Sequence, residues 1–263
     1  MDYKEKILYK IMGNLYSNSA PLIFKGALVT KLILFENLFD EISRNTADID
    51  ASWIEGAPSM DYLASLIKDS LGDLESRYDV TITREYTERQ SAGIALVNKE
   101  TGRIEITLDI EIKSEKMFQL YSYGDVEFRG VLADSIMADK ISVLSTNTIF
   151  RRVKDLIDIY ALSSCINFEM KLIIEQIRES NRVLGNFDAF LNRKDELEFA
   201  YNKLKRIIGK PKFEEIYNHI NIFSHPFIIN QDYNYQWNKD LTKWDKPQNI
   251  KENIGTDEWE PEL

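Results

Sequence analysis

The chain has 263 residues, 44% of them hydrophobic, and a formal net charge of −10; that apolar share suits a folded core, and the acidity excludes broad, non-specific nucleic-acid binding. A single cysteine, Cys165, and only two histidines, His219 and His225, exclude an intrachain disulfide, a cysteine-based zinc site and a histidine-rich metal centre. No apolar run reaches about 18 residues, so no membrane helix is expected. The charged start MDYKEKILYKIMGNLY lacks the apolar core of a secretory signal. A cytoplasmic protein is the expectation, with both histidines structural.

In chain order, Tyr3, Ile7, Leu8, Ile11, Met12, Leu15 and Tyr16 share one face at helical spacing, and Ser17–Pro21 breaks that helix. Leu22–Phe24 reads as a short buried strand. Helical spacing returns through Leu28, Leu32, Phe35 and Phe39. Residues 47–53 alternate and read as a strand with Asp48 and Asp50 on one side. Ser59 is a candidate N-cap for a helix reaching about Ser76. Strands are then expected over 80–83, 93–98 and 103–112, the last two joined by a turn at 99–102, with a further short pair over 118–123 and 126–128. From about Val131 the pattern is helical: 131–145, 148–164, 168–182, 195–208 and 211–223. Residues from about 230 carry no periodicity, and Trp237 and Trp244 are their candidates for packing onto the surface.

The expected architecture is an α/β domain of the α+β kind with a mixed sheet over residues 1–130, then a helical region over 131–229, then an irregular acidic tail over 230–263. Ligands often sit at such joins. Charge is uneven along the chain. Residues 138–212 hold 14 Lys and Arg against 10 Asp and Glu, whereas residues 1–137 hold 15 against 23. A locally basic segment in an acidic protein fits one phosphate-bearing ligand, and solvated helix faces are the plainer reading.

Asp48 and Asp50 lie at i and i+2, so their side chains leave the strand on the same face. Their repulsion is relieved by protonation, by basic neighbours or by a divalent cation, and an oxygen-only donor set suits Mg²⁺ or Mn²⁺. Two metals about 3.5–4 Å apart need further bridging oxygens. Asp109 is the candidate, because it shares parity with Glu105 and Thr107 and opposes that of Ile106, Leu108 and Ile110. The competing reading is a pair of solvent-facing residues on an edge strand. Gly26-Ala27 opens a helix, where backbone N–H groups are available to a phosphate.

The ordered set Lys25-Gly26-Ala27, a helix, and Arg44-Asn45-Thr46-Ala47-Asp48-Ile49-Asp50 resembles the first motif of the AbiE-type toxin nucleotidyltransferases. These form a branch of the polymerase β-like nucleotidyltransferase superfamily. Leu132–Lys140 resembles their helical motif with its lysine, and Arg151–Tyr160 resembles their Arg-x-Lys-Asp-x-x-Asp motif. The resemblance spans about residues 20–165. The family's second Gly is Ala27 here, which keeps its backbone N–H, and the family's Ser is Thr46, which keeps a hydroxyl.

The resemblance implies metal-dependent transfer of a nucleoside monophosphate from an NTP to a hydroxyl of tRNA, another RNA or a protein, and a partner antitoxin. It implies Asp48, Asp50 and Asp109 as catalytic metal ligands. Lys25, Gly26, Ala27, Thr46, Lys140, Lys154 and Asp155 are implied to bind the nucleotide, with Asp158 in support. On spacing alone, Arg152, Lys154, Asp155 and Asp158 also fit a surface ion-pair network. A non-catalytic module that binds a nucleotide or partner is the alternative, as is an interaction protein docking through its acidic tail.

Overall fold

The computed structural model describes residues 3–44, 46–86, 91–113, 117–205, 207–229 and 234–246. Tyr3–Ser17 (α1) buries Ile7, Leu8, Ile11, Met12 and Leu15, one face at helical spacing. Leu22–Lys25 (β1) follows, and Gly26–Glu36 (α2) starts with no intervening loop. Ser43–Arg44 (β2) is a short strand, and Asp48–Trp53 (β3) alternates in burial up to Ala51. Met60–Asp69 (α3) is capped by Ser59, whose hydroxyl accepts from the N–H of Tyr62. It is shorter than its periodicity suggested: the chain breaks and resumes as a 3₁₀ turn over Gly72–Ser76.

Tyr78–Arg84 (β4), Ser91–Asn98 (β5) and Ile104–Ile112 (β6) form an antiparallel meander, and Gln119–Tyr123 (β7) pairs with Val126–Gly130 (β8). Seven strands make one sheet in the order β4-β5-β6-β3-β1-β8-β7. It is mixed, because β3 runs parallel to β6 and antiparallel to β1.

Helices then dominate: Ala133–Leu144 (α4), Asp155–Cys165 (α5), Met170–Glu179 (α6), Asp188–Asn192 (α7) and Lys194–Asn202 (α8). Two expected helices are interrupted. The one over 148–164 is a 3₁₀ turn at Asn147–Phe150, a non-helical turn over 151–154, and then α5. The one over 195–208 stops at Asn202, and Ile207–Ile208 (β9) pairs back onto β2. Helical periodicity does not mark such breaks, because long-range pairing and capping decide them. Phe213–Ile228 (α9) closes the helical part. The region expected to be irregular holds a small hairpin, Gln236–Asn238 (β10) with Lys243–Asp245 (β11). Its Trp237 is 1% exposed and donates to the carbonyl of Ser163 at 2.6 Å, which ties the hairpin to α5. The remainder of that tail, 230–233 and 247–263, lies outside the described residues.

Candidate active site

The sheet's polar face is built by register. Asp48, Asp50 and Ser52 of β3 stand beside Thr107, Asp109 and Glu111 of β6, rung by rung, while Ile49 and Ala51 stand beside the buried Leu108 and Ile110. Asp50 and Asp109 are therefore direct lateral neighbours, and Lys25 of β1 is the partner of Asp50 on its other side. Thr107 donates its hydroxyl to Asp48 Oδ1 at 2.5 Å. Arg84 of β4 reaches Asp109 Oδ1 at 2.8 Å. Lys25 Nζ lies 2.5 Å from Glu111 Oε2 and 3.0 Å from Ser52 Oγ, so it neutralises the next rung.

Gly26 has no room for a side chain. Its φ is +74°, and a Cβ placed there would lie 2.0 Å from Asp50 Oδ2. Only glycine lets α2 start with its backbone pressed on that carboxylate. Burial raises the pKa of Asp50; Lys25 works against the rise, Asp109 and Asp48 add to it, and Lys140 opposes it. A partly buried carboxylate among two others gains from a cation. This donor set fits a divalent metal, with hard oxygens from two adjacent strands beside the first N–H groups of a helix. Among the described residues, no three acidic, His or Cys side chains already converge as a metal cage. The outer carboxylates are held instead by Thr107 and Arg84.

Lys140 lies across the join, on α4. Its ammonium is buried, 2.8 Å from Asp155 Oδ1 and 2.9 Å from Asp158 Oδ2 on α5. Burial disfavours its charge, but Asp158 and Asp155 outweigh that and raise its pKa. Arg152 Nε lies 2.7 Å from Asp155 Oδ2, and the Arg152 guanidinium also holds Asp139 at 2.7 Å, which Arg182 shares. Ala27 and Asp158 line a common small cavity of about 30 Å³, which joins the first turn of α2 to this cluster. A larger cleft of about 580 Å³ opens beside Glu111, where Lys113 of the sheet side meets Arg178 and Arg182.

The Nucleotidyl transferase AbiEii toxin family, of type IV toxin–antitoxin systems, matches residues 11–239. The chain belongs to this family. The match takes in the sheet, the carboxylate face and the helices through α9 of this AbiEii protein. Among solved structures it is similar to MenT4, a nucleotidyltransferase toxin from Mycobacterium tuberculosis H37Rv, at 14% identity and a TM-score of 0.46, over 72% of this chain and 70% of that one. No curated protein matches.

Of the residues singled out in the sequence, the structure of this AbiEii protein brings Asp48, Asp50, Asp109, Lys25 and Gly26 together on or beside one sheet face. Thr46 turns its hydroxyl back to accept from the N–H of Asp48 at 3.3 Å. Lys140 and Asp155 are paired with each other, and Lys154, at the start of α5, is exposed. Residues 151–154 form a turn ahead of α5, so of the four residues grouped by spacing, Arg152, Lys154, Asp155 and Asp158, only Asp155 and Asp158 lie on the helix. Glu111 and Arg84 escaped the sequence reading. Glu111 has the same parity as Asp109, a signal that was present; Arg84 carries no such signal.

Proposed function

We propose that this AbiEii-family protein transfers a nucleoside monophosphate from an NTP to a hydroxyl of RNA or protein in a Mg²⁺- or Mn²⁺-dependent reaction, as the toxin partner of an antitoxin in the cytoplasm. The observation that carries the reading is Asp50, flanked in register by Asp109 and Lys25 and pressed against Gly26 at the start of α2. Asp48, Asp50 and Asp109 would hold the divalent cations. When bound, these cations supply charge neutralisation at the triphosphate and a lowered pKa for the attacking hydroxyl.

The chain's own groups have separate roles in this reading. Gly26 and Ala27 present backbone N–H groups to phosphate oxygens, aided by the helix dipole. Lys140 sets positive charge behind the carboxylates, and Asp155 and Asp158 fix its position. Lys154 is exposed, and this reading gives it a direct contact with the nucleotide. The cleft beside Glu111 is of a size that admits part of a substrate. In this reading a catalytic unit over 1–130 and a helical unit over 131–229 would share the site, with the nucleotide held at their join.

Induced expression of the wild-type chain alone is expected to slow bacterial growth, and Asp50→Ala at matched protein level is expected not to. Equal toxicity of the two would favour the alternative, a module that acts by binding.

A further inference from the structure

Arg84 reaches Asp109 through a slip in strand register. On β4, Val80 and Ile82 pair with Leu96 and Ile94 of β5, and these pair with Ile106 and Leu108 on the apolar face of β6. Continued, that register would set Arg84 against Ala92, whose neighbour is the buried Ile110. The register instead shifts between Ile82 and Arg84, and Arg84 stands opposite Gly93, the partner of Asp109. One extra residue in β4 thus turns Arg84 from the apolar face to the carboxylate face, the kind of re-aiming that bulges perform.

Gly93 supplies the room. A Cβ there would lie 2.8 Å from Thr83 Oγ1 and 3.3 Å from Arg84 Cβ. The guanidinium crosses this gap to Asp109 Oδ1 at 2.8 Å and donates to Ser91 Oγ at 3.1 Å. Arg84 is 44% and Asp109 54% exposed, so water competes with their pairing.

We propose that Arg84 is a stand-in counter-ion for the divalent cation: it holds the Asp109 carboxylate beside Asp50 in the metal-free protein and yields it when the cation binds. The inference rests on the metal-dependent reading above. Three carboxylates on neighbouring rungs repel one another, and a fixed charge on the edge strand β4, reaching across β5, keeps Asp109 in place without a metal. An exposed ion pair is weak enough for a divalent cation to displace, and its loss changes affinity about two- to fivefold. Arg84 is on this account a positioning residue.

The test is Mn²⁺ binding to the full chain without nucleotide, read from the free Mn²⁺ signal in electron paramagnetic resonance. Arg84→Gln is expected to tighten binding about two- to fivefold. Arg84→Lys, which keeps the charge, should stay near wild type, and Arg84→Gln should gain nothing in an Asp109→Asn background. Should Arg84→Gln melt early, Arg84→Met keeps the aliphatic stem and carries the same expectation. Unchanged or weaker Mn²⁺ binding in the folded Arg84 variants, with normal binding in the wild type, overturns this inference alone. A wild-type chain that binds no Mn²⁺ even with NTP overturns the metal reading, and this inference with it.

Discussion

Gly26 and Asp50 are packed so closely that a methyl group at position 26 would lie 2.0 Å from Asp50 Oδ2. That contact joins the start of α2 to the middle of the carboxylate face, the two parts proposed above to hold the triphosphate and the cations. A side chain at position 26 also meets the strain of a φ of +74°. Gly26→Ala is therefore expected to lower stability by about 2 kcal/mol or more and to weaken NTP binding at least about tenfold, a loss of about 1.4 kcal/mol. Urea denaturation and isothermal titration check the two effects. A variant with wild-type stability and affinity would show that α2 does not need to sit on Asp50.

Lys140 balances two buried carboxylates at once. Removing one partner of a buried ion pair leaves uncompensated charge, typically at 3–5 kcal/mol. Lys140→Met should cost about 3 kcal/mol in urea unfolding, and adding Asp158→Asn should recover part of that. Arg152 remains to hold Asp155, which sets the loss at the lower end. A cost below about 1 kcal/mol for Lys140→Met would mean that the cluster is open to water.

Lys154 presents the opposite case, an exposed side chain whose worth depends on a ligand. Lys154→Ala should change stability by less than about 0.5 kcal/mol and weaken NTP binding by up to about tenfold through loss of one charged contact. Titration with each NTP measures this. Unchanged affinity for all four removes Lys154 from the nucleotide site.

His219 makes the fold sensitive to acid. Its ring accepts or donates a 2.7 Å bond with Ser163 Oγ and packs edge-on against Tyr160 and Trp237. Burial pushes its pKa down to about 4, with Glu215 pulling the other way. The unfolded chain therefore takes up this proton first as pH falls. Stability is full above about 6.5 and declines between about 6.5 and 4, by at most about 3 kcal/mol from this group. Urea midpoints measured across that window should fall for the wild type and fall less for His219→Phe. Parallel pH profiles for the two would contradict the assignment.

The parts of the site that strand parity controls were legible in the sequence. Alternation alone placed Asp48, Asp50 and Asp109 on polar faces, and β3 and β6 do present them together. Glycine followed by alanine before an apolar run marked the start of α2. Features set by long-range geometry were not legible. Parity in β4 assigns Arg84 to the same face as Val80 and Ile82, and only the register slip turns it toward Asp109. The pairing of Lys140 with Asp155 and Asp158 depends on how α4 and α5 cross, across the break at 151–154. The chain beyond α9 looked irregular because β10 and β11 are three residues each, too short for a periodic signal. Trp237 nevertheless belongs to the core.

Whether the carboxylate face carries nucleotidyl transfer is tested by a labelling reaction. Purified chain is incubated with each α-labelled NTP, with total cell RNA or protein, with and without Mg²⁺ or Mn²⁺, and the products are separated on a gel. Label from at least one NTP is expected to pass to a macromolecule only when the divalent cation is present. Asp50→Asn is expected to lose that transfer while keeping a circular dichroism spectrum like that of the wild type. Cation-independent labelling, or full labelling by folded Asp50→Asn, would contradict that role for the carboxylate face.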